Sequence, residues 1–523
     1  MRTSLVLVLV LALSPAQITS THNSKNKIDK DLTGIHVPIY RTGGSRTKAA
    51  SDRRRLYSTT VHVTDFLDVT YKIPLKIGDR EVAVDIDTGS SDLWIIVDNS
   101  SGFRSTTYPI SLLYGDSRTG THASGVIAID SVAVASLNLK SQIFAAVNDT
   151  NTSVLETGCV GILGLGFPLN RRQDANNQDN QDNIQPKKNN RRHSSTGPSP
   201  WTPRLLAAFN VSGPPIWRIV TGAQGQQQTQ SQDIINMRPM FSVSLQRVTN
   251  TAAALREHPR ESITSPNRIT PGLLTIGGLP PNLTDADLTW TLVRRYTVSQ
   301  GGSKGGVGAE DEVYPITWEI PIDGVYLDGN RIPDPAGLES GDIGVTALID
   351  TGNSLIRGPP DVVEYIVDAI RSSSSHQSTD PSTSCTTPHT LAFQIGGRMF
   401  PVEWRDLVWV EEEEEEDGDS QQGDSEKRQC YLNLAPTDVP TTTTTTRGEG
   451  GEGGGYLYSW SLGDPFLKNV IAAFYYGDTV HPSWDPPRIG LISTVPIIPI
   501  LMHVLDVRVD VEDEEDVGAG GGG

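Results

Sequence analysis

The chain has 523 residues, long enough for two cores, and its 36% hydrophobic and 20% charged content suits a soluble globular protein with polar insertions. A net charge of −19 argues against a general nucleic-acid binder.

The N-terminus reads as a targeting segment. Arg2, the apolar run SLVLVLVLAL and the small residues Ser14-Pro15-Ala16 have the order of a secretory signal peptide, residues 1–16, and the run is short for a membrane span. Residues 17–55 hold nine Lys/Arg and three Asp/Glu, a net of +6, and end in Arg53-Arg54-Arg55. A basic segment ahead of a body of about −26 is expected to be a pro-segment with a processing site, the mature chain starting near Leu56. Asn-x-Ser/Thr sequons at Asn99, Asn148, Asn151, Asn210 and Asn282 lend weak support to secretion.

From Leu56 the periodicity is mostly that of strands. YKIPLKIG, REVAVDID and GVIAIDSVAVASLNL alternate, as do PMFSVSLQR, GLLTIGGL, LTWTLV, TWEIPIDGVYLDG and HTLAFQIGGRMFPVEW further on. Helical periodicity is confined to TPRLLAAF and to PPDVVEYIVDAIRS, which has Pro at its start and Val362 and Ile366 on one face. Residues 170–200, 298–312, 411–428 and 437–455 have the composition of surface loops, unable to bury enough apolar area to offset ordering. The tail, 496–523, is acidic and Gly-rich at its end, and its apolar part is short and holds two prolines, so no stable membrane anchor is expected.

Two short stretches carry the chemistry. VDIDTGSSDLW ends a strand pattern in Asp87-Thr88-Gly89, and ALIDTGNSLIRG does the same at Asp350-Thr351-Gly352. One such turn is bland. Two in matching contexts suggest one structure built twice, with the turns meeting on a pseudo-twofold axis. Two carboxyl groups brought together there cannot both ionise easily and would share a proton. One could then act as base on a water while the other is acid toward a carbonyl oxygen.

These motifs resemble those of the pepsin-family aspartic proteases, and the secreted fungal members in particular. The first matches at Asp87, Thr88, Gly89, Ser90, Ser91, Leu93 and Trp94, the second at Asp350, Thr351, Gly352 and Ser354. The resemblance implies an all-β, bilobal fold with a few short helices, its lobes at 56–238 and 239–495. It implies an acid-active, secreted or vacuolar endopeptidase for peptide and protein substrates, monomeric and free of metal or other cofactor. Asp87 and Asp350 would be the catalytic pair, Thr88 and Thr351 would interlock the turns, and Gly89 and Gly352 would donate N–H groups to the carboxyls. Ser90 would bond Asp87. Asn353 departs from the usual Thr or Ser but could donate a similar bond. A flap would carry Tyr114, Gly115 and Asp116, although only 19 residues separate Trp94 from Tyr114. GILGLGF (161–167) and SLGDPFL (461–467) would thread beside the two catalytic loops. The competing class is a non-catalytic binding protein or inhibitor on the same scaffold, and loss of a dyad Asp, Thr or Gly would have signalled it.

Of the three cysteines, Cys385 and Cys430 flank one predicted β segment, a spacing that also suits the second lobe, and they are the expected disulfide. Cys159, in an apolar context, is expected to be a buried free thiol.

Overall fold

A computed structural model of the chain describes residues 35–43, 69–97, 103–114, 121–168, 213–221, 237–245, 272–297, 312–335, 344–372, 387–411, 429–437 and 458–495. The signal peptide, the Arg53-Arg54-Arg55 site, the helix expected at 202–209, the flap tip with Gly115 and Asp116, Cys385 and the tail lie outside them. So do all or most of the four predicted loops.

Alternating sequence becomes sheet throughout. In the first half the strands are β1 (Ile35–Gly43), β2 (Val69–Ile77), β3 (Arg80–Asp87), β4 (Leu93–Ile96), β5 (Arg104–Tyr114), β6 (Thr121–Val134), β7 (Leu137–Thr150) and β8 (Gly161–Gly164). There follow β9 (Met240–Leu245), β10 (Gly272–Ile276), β11 (Thr289–Leu292), β12 (Arg295–Tyr296), β13 (Tyr314–Pro315), β14 (Glu319–Pro321), β15 (Gly324–Leu327) and β16 (Asn330–Arg331). The last are β17 (Thr346–Ile349), β18 (Ile356–Gly358), β19 (Leu391–Ile395), β20 (Arg398–Val402), β21 (Val408–Glu411), β22 (Gln429–Leu432), β23 (Leu434–Pro436), β24 (Trp460–Leu462), β25 (Val470–Tyr475) and β26 (Arg488–Ser493). The α-helices among the described residues are α1 (Pro215–Val220), α2 (Pro360–Ser372), α3 (Trp404–Leu407) and α4 (Asp464–Leu467), none long and apolar enough to cross a membrane. α2 is the helix expected from its periodicity and buries Val362, Val363, Ile366 and Ile370. The run 125–139 is two strands rather than one: Ala135, at a φ of 51°, turns the chain between β6 and β7.

The doubling read from the motifs is visible in the strand order. In the first lobe β2, β3, β8, β4 and β7 lie side by side, with β3–β8 and β4–β7 parallel and β2–β3 and β8–β4 antiparallel. In the second, β14, β17, β24, β18 and β23 repeat that order and those senses. Each lobe thus threads the strand ending in Asp-Thr-Gly against a later strand, β8 or β24.

One sheet of 13 strands joins the lobes, and β1 is its seam. Ile35–Ile39 pair with β10, and Tyr40–Gly43 pair with β2. Val37 and Ile39 are buried there. Part of the basic segment 17–55 is therefore sheet. The lobes are further tied by aromatic packing: Trp318 lies against Phe167, Phe241, Phe474 and Tyr476. The indole of Trp318 and the hydroxyl of Tyr476 both donate to the Leu165 carbonyl, at 3.0 and 2.9 Å.

Candidate active site

Asp87 ends β3 and Asp350 follows β17, so the repeated threading delivers both aspartates to the junction of the lobes. The two turns interlock through their threonines. Thr88 N donates to Thr351 Oγ1 and Thr351 N to Thr88 Oγ1, each at 3.0 Å. Each hydroxyl then crosses to the other strand: Thr88 Oγ1 donates to the Ile349 carbonyl at 2.7 Å, and Thr351 Oγ1 to that of Ile86 at 2.9 Å. Both threonines are buried, so every donor and acceptor in this square needs its partner.

Held in this way, each carboxyl group lies over the other turn's glycine. A Cβ on Gly89 would sit 2.6 Å from Asp350 Oδ1, and one on Gly352 would sit 2.5 Å from Asp87 Oδ1. No side chain fits, which is why the third motif position is Gly twice. Gly89 N donates to Asp87 Oδ1 at 2.8 Å and Gly352 N to Asp350 Oδ1 at 3.0 Å. Ser90 Oγ donates to Asp87 Oδ2 at 2.5 Å. Burial pushes the Asp87 carboxyl above its ordinary range, while bonds from Ser90, Gly89 and the Asp350 side chain work the other way. The Asp350 side chain lies close enough to Asp87 to bond it, and a Cβ on Gly352 would lie within 3.3 Å of both carboxyls.

Asn353 does not mirror Ser90. Its amide donates to Ser461 Oγ at 2.8 Å, and its carbonyl oxygen accepts from Leu355 N at 3.0 Å. It braces the second Asp-Thr-Gly turn against β24. Ser461 was not legible as a site residue, because its role depends on the β17–β24 register.

Tyr114 is the last residue of β5, paired with Thr121 of β6, whose hydroxyl donates to the Tyr114 carbonyl at 2.8 Å. The hairpin therefore arises despite the short run after Trp94, supported from below by Ile110 and Leu112. The Tyr114 ring lies 6.2 Å from that of Trp94. Burial raises the Tyr114 phenol well above its usual range, and the charges of Asp92 and Asp87 push the same way. Cys159 is free and buried, as its context indicated, and its thiol donates to Asp85 Oδ1 at 2.9 Å. Cys430 is buried on β22.

Doubled threading with two carboxyls in contact across interlocked turns defines a class of two-lobed, paired-aspartate proteins. The family model described as eukaryotic aspartyl protease matches residues 70–189 and 264–479, and the chain belongs to that family. It is 23% identical over 514 residues to cathepsin E-B of Xenopus laevis, covering 93% of each chain. It is likewise 23% identical to pepsin A of Sus scrofa, over 78% of this chain and 80% of the pepsin. Similarity to penicillopepsin-1 of Penicillium rubens is 29% over 28% of this chain and 42% of that one.

Proposed function

We propose that the protein is a secreted endopeptidase that hydrolyses peptide bonds at acidic pH through Asp87 and Asp350. The observation that carries this reading is the contact between the two carboxyl groups, each fixed by its own glycine N–H. One carboxylate takes a proton from a water as that water attacks the scissile carbonyl carbon. The other carboxyl gives its proton to the carbonyl oxygen; as the tetrahedral intermediate collapses, the first carboxyl passes the proton it took from water to the departing amine nitrogen and the second takes back the hydroxyl proton. No bond to the enzyme forms. The pair works with one proton between its two groups, and burial of Asp87 favours that state in acid. The flap with Tyr114, Gly115 and Asp116 would cover the peptide.

An acid-pH digest of a protein substrate by processed protein, with and without a pepstatin-type inhibitor, tests the reading. Inhibitor-sensitive cleavage is expected. Inhibitor binding without cleavage would favour the non-catalytic scaffold instead.

A further inference from the structure

We propose that Asn282 carries an N-linked glycan. This rests on the secreted part of the reading above and adds a modified residue to it. Of the five sequons, those at Asn148, Asn151 and Asn282 lie among the described residues, and those at Asn99 and Asn210 lie outside them. All three described asparagines are exposed, so exposure does not choose between them. Local structure does. Asn148 is the extra residue of a bulge within β7: its neighbours Val147 and Asp149 pair with Gly125 and Ser124 of β6. Asn151 is held to the same strand, its Oδ1 accepting from His122 N at 2.7 Å and its own N–H donating to the His122 carbonyl at 3.3 Å. Both positions therefore take their shape from pairing with β6.

Asn282 takes its shape from its own neighbours. Leu283 N donates to the Pro280 carbonyl at 3.3 Å, closing a turn, and Asn282 has a φ of 69°. A type II turn favours Pro at its second place, here Pro281, and needs this left-handed backbone at its third, which Gly or Asn supplies. Pro281 fixes its own φ, so the turn can form while the chain is still being made. Among the described residues none bonds the Asn282 side chain. The chain on either side is pinned. Leu279 packs with Trp290 and Tyr475 against Met240, Leu288 and Ala473. Arg238 donates to both carboxylate oxygens of Asp285 at 2.9 Å, and the Trp290 indole donates to the Asp285 carbonyl at 3.1 Å. This cluster lies on the opposite face of the shared sheet from the main core, since Met240 belongs to it and the next residue of β9, Phe241, belongs to the core. Ile86 and Ile349, which precede the two aspartates, are core residues. A glycan on Asn282 therefore stands clear of the dyad, on a surface turn that tolerates a bulky polar group.

The donor is an oligosaccharide carried on a polyprenyl diphosphate. The Asn282 amide nitrogen attacks the anomeric carbon of its first N-acetylglucosamine. The C–N bond forms as the bond from that carbon to the diphosphate oxygen breaks; the lipid diphosphate leaves with the electron pair, and the amide gives up one proton. The test uses the full chain expressed in a glycosylating eukaryotic host. Protein from the medium is treated with peptide-N-glycosidase in heavy-oxygen water, which turns each glycosylated Asn into labelled Asp, and is mapped by mass spectrometry. Asn282 should be labelled in most molecules. On a denaturing gel Asn282→Gln and Thr284→Val should each run faster than wild type by one glycan, a difference the glycosidase abolishes. Thr284→Ser keeps the sequon and should run as wild type. Secreted protein unlabelled at Asn282, or labelled at Asn148 or Asn151 in its place, overturns the proposal. Labelling is read on wild type, so a variant that fails to fold leaves the decision intact. Unlabelled protein that stays in the cytosol also overturns it, and counts against the secreted reading as well; unlabelled protein in the medium counts against Asn282 alone.

Discussion

The threonine square is the most demanding part of the site at the level of single residues. Each hydroxyl accepts from the opposite turn and donates to the strand leading into that turn, so Thr351→Val removes the partner of the buried Thr88 N–H and a donor to the Ile86 carbonyl. That should cost about 1–3 kcal/mol in urea unfolding, and the double Thr88→Val/Thr351→Val variant should lose less than the sum of the singles. Strict additivity would show that the bonds are independent. Asp87 makes a prediction of opposite sign. Its folded pKa is raised, so its contribution to stability is full below the unfolded carboxylate value and is lost as pH rises through the folded value. Asp87→Asn cannot ionise. Its melting temperature should therefore gain on wild type steadily from acid to neutral pH, and a flat or shrinking difference would contradict the burial argument. Asn353 shows the limit of reading a motif. The sequence placed an amide beside Asp350, but its direction follows from Ser461, a residue 108 positions away.

At the scale of elements, periodicity located strands and the helix α2 well, since each depends on a short local pattern. It did not divide β6 from β7, because Ala135 carries no turn signal. Nor did it reveal β1, which lies in the segment read as pro-peptide and is strand through pairing with β10 and β2. If processing follows Arg55, β1 is held to the body only non-covalently. Cleaved protein at neutral pH should co-elute with a peptide containing residues 35–43 on gel filtration. In acid, as body carboxylates protonate and the attraction to a +6 segment weakens, it should separate. A peptide free of the body at neutral pH would show that the β1 pairing does not outlast the cut. The pairing of Cys385 with Cys430 is also an element-scale proposal. Thiol counting on unreduced, unfolded protein should find one free thiol, Cys159, and closing a loop of about 45 residues should contribute roughly 3–4 kcal/mol.

For the molecule as a whole, two Asp-Thr-Gly turns were enough to foresee the doubled fold, because a carboxyl dyad requires two strands delivered to one axis. The strand order bears that out, lobe for lobe. The lobes' shared sheet, the Trp318 and Tyr476 bonds to Leu165, and the Cys159–Asp85 contact were not legible. The three side-chain bonds join residues 74 to 311 positions apart, and no local pattern encodes such a meeting. We propose that peptide hydrolysis is carried by a proton shared between Asp87 and Asp350. The most direct measurement is the rate of acid-pH cleavage of one peptide by wild type, Asp87→Asn and Asp350→Asn, with folding checked by circular dichroism. An amide keeps the shape but cannot share or shuttle the proton, so both folded variants should lose nearly all activity. Cleavage near the wild-type rate by either one would contradict the account.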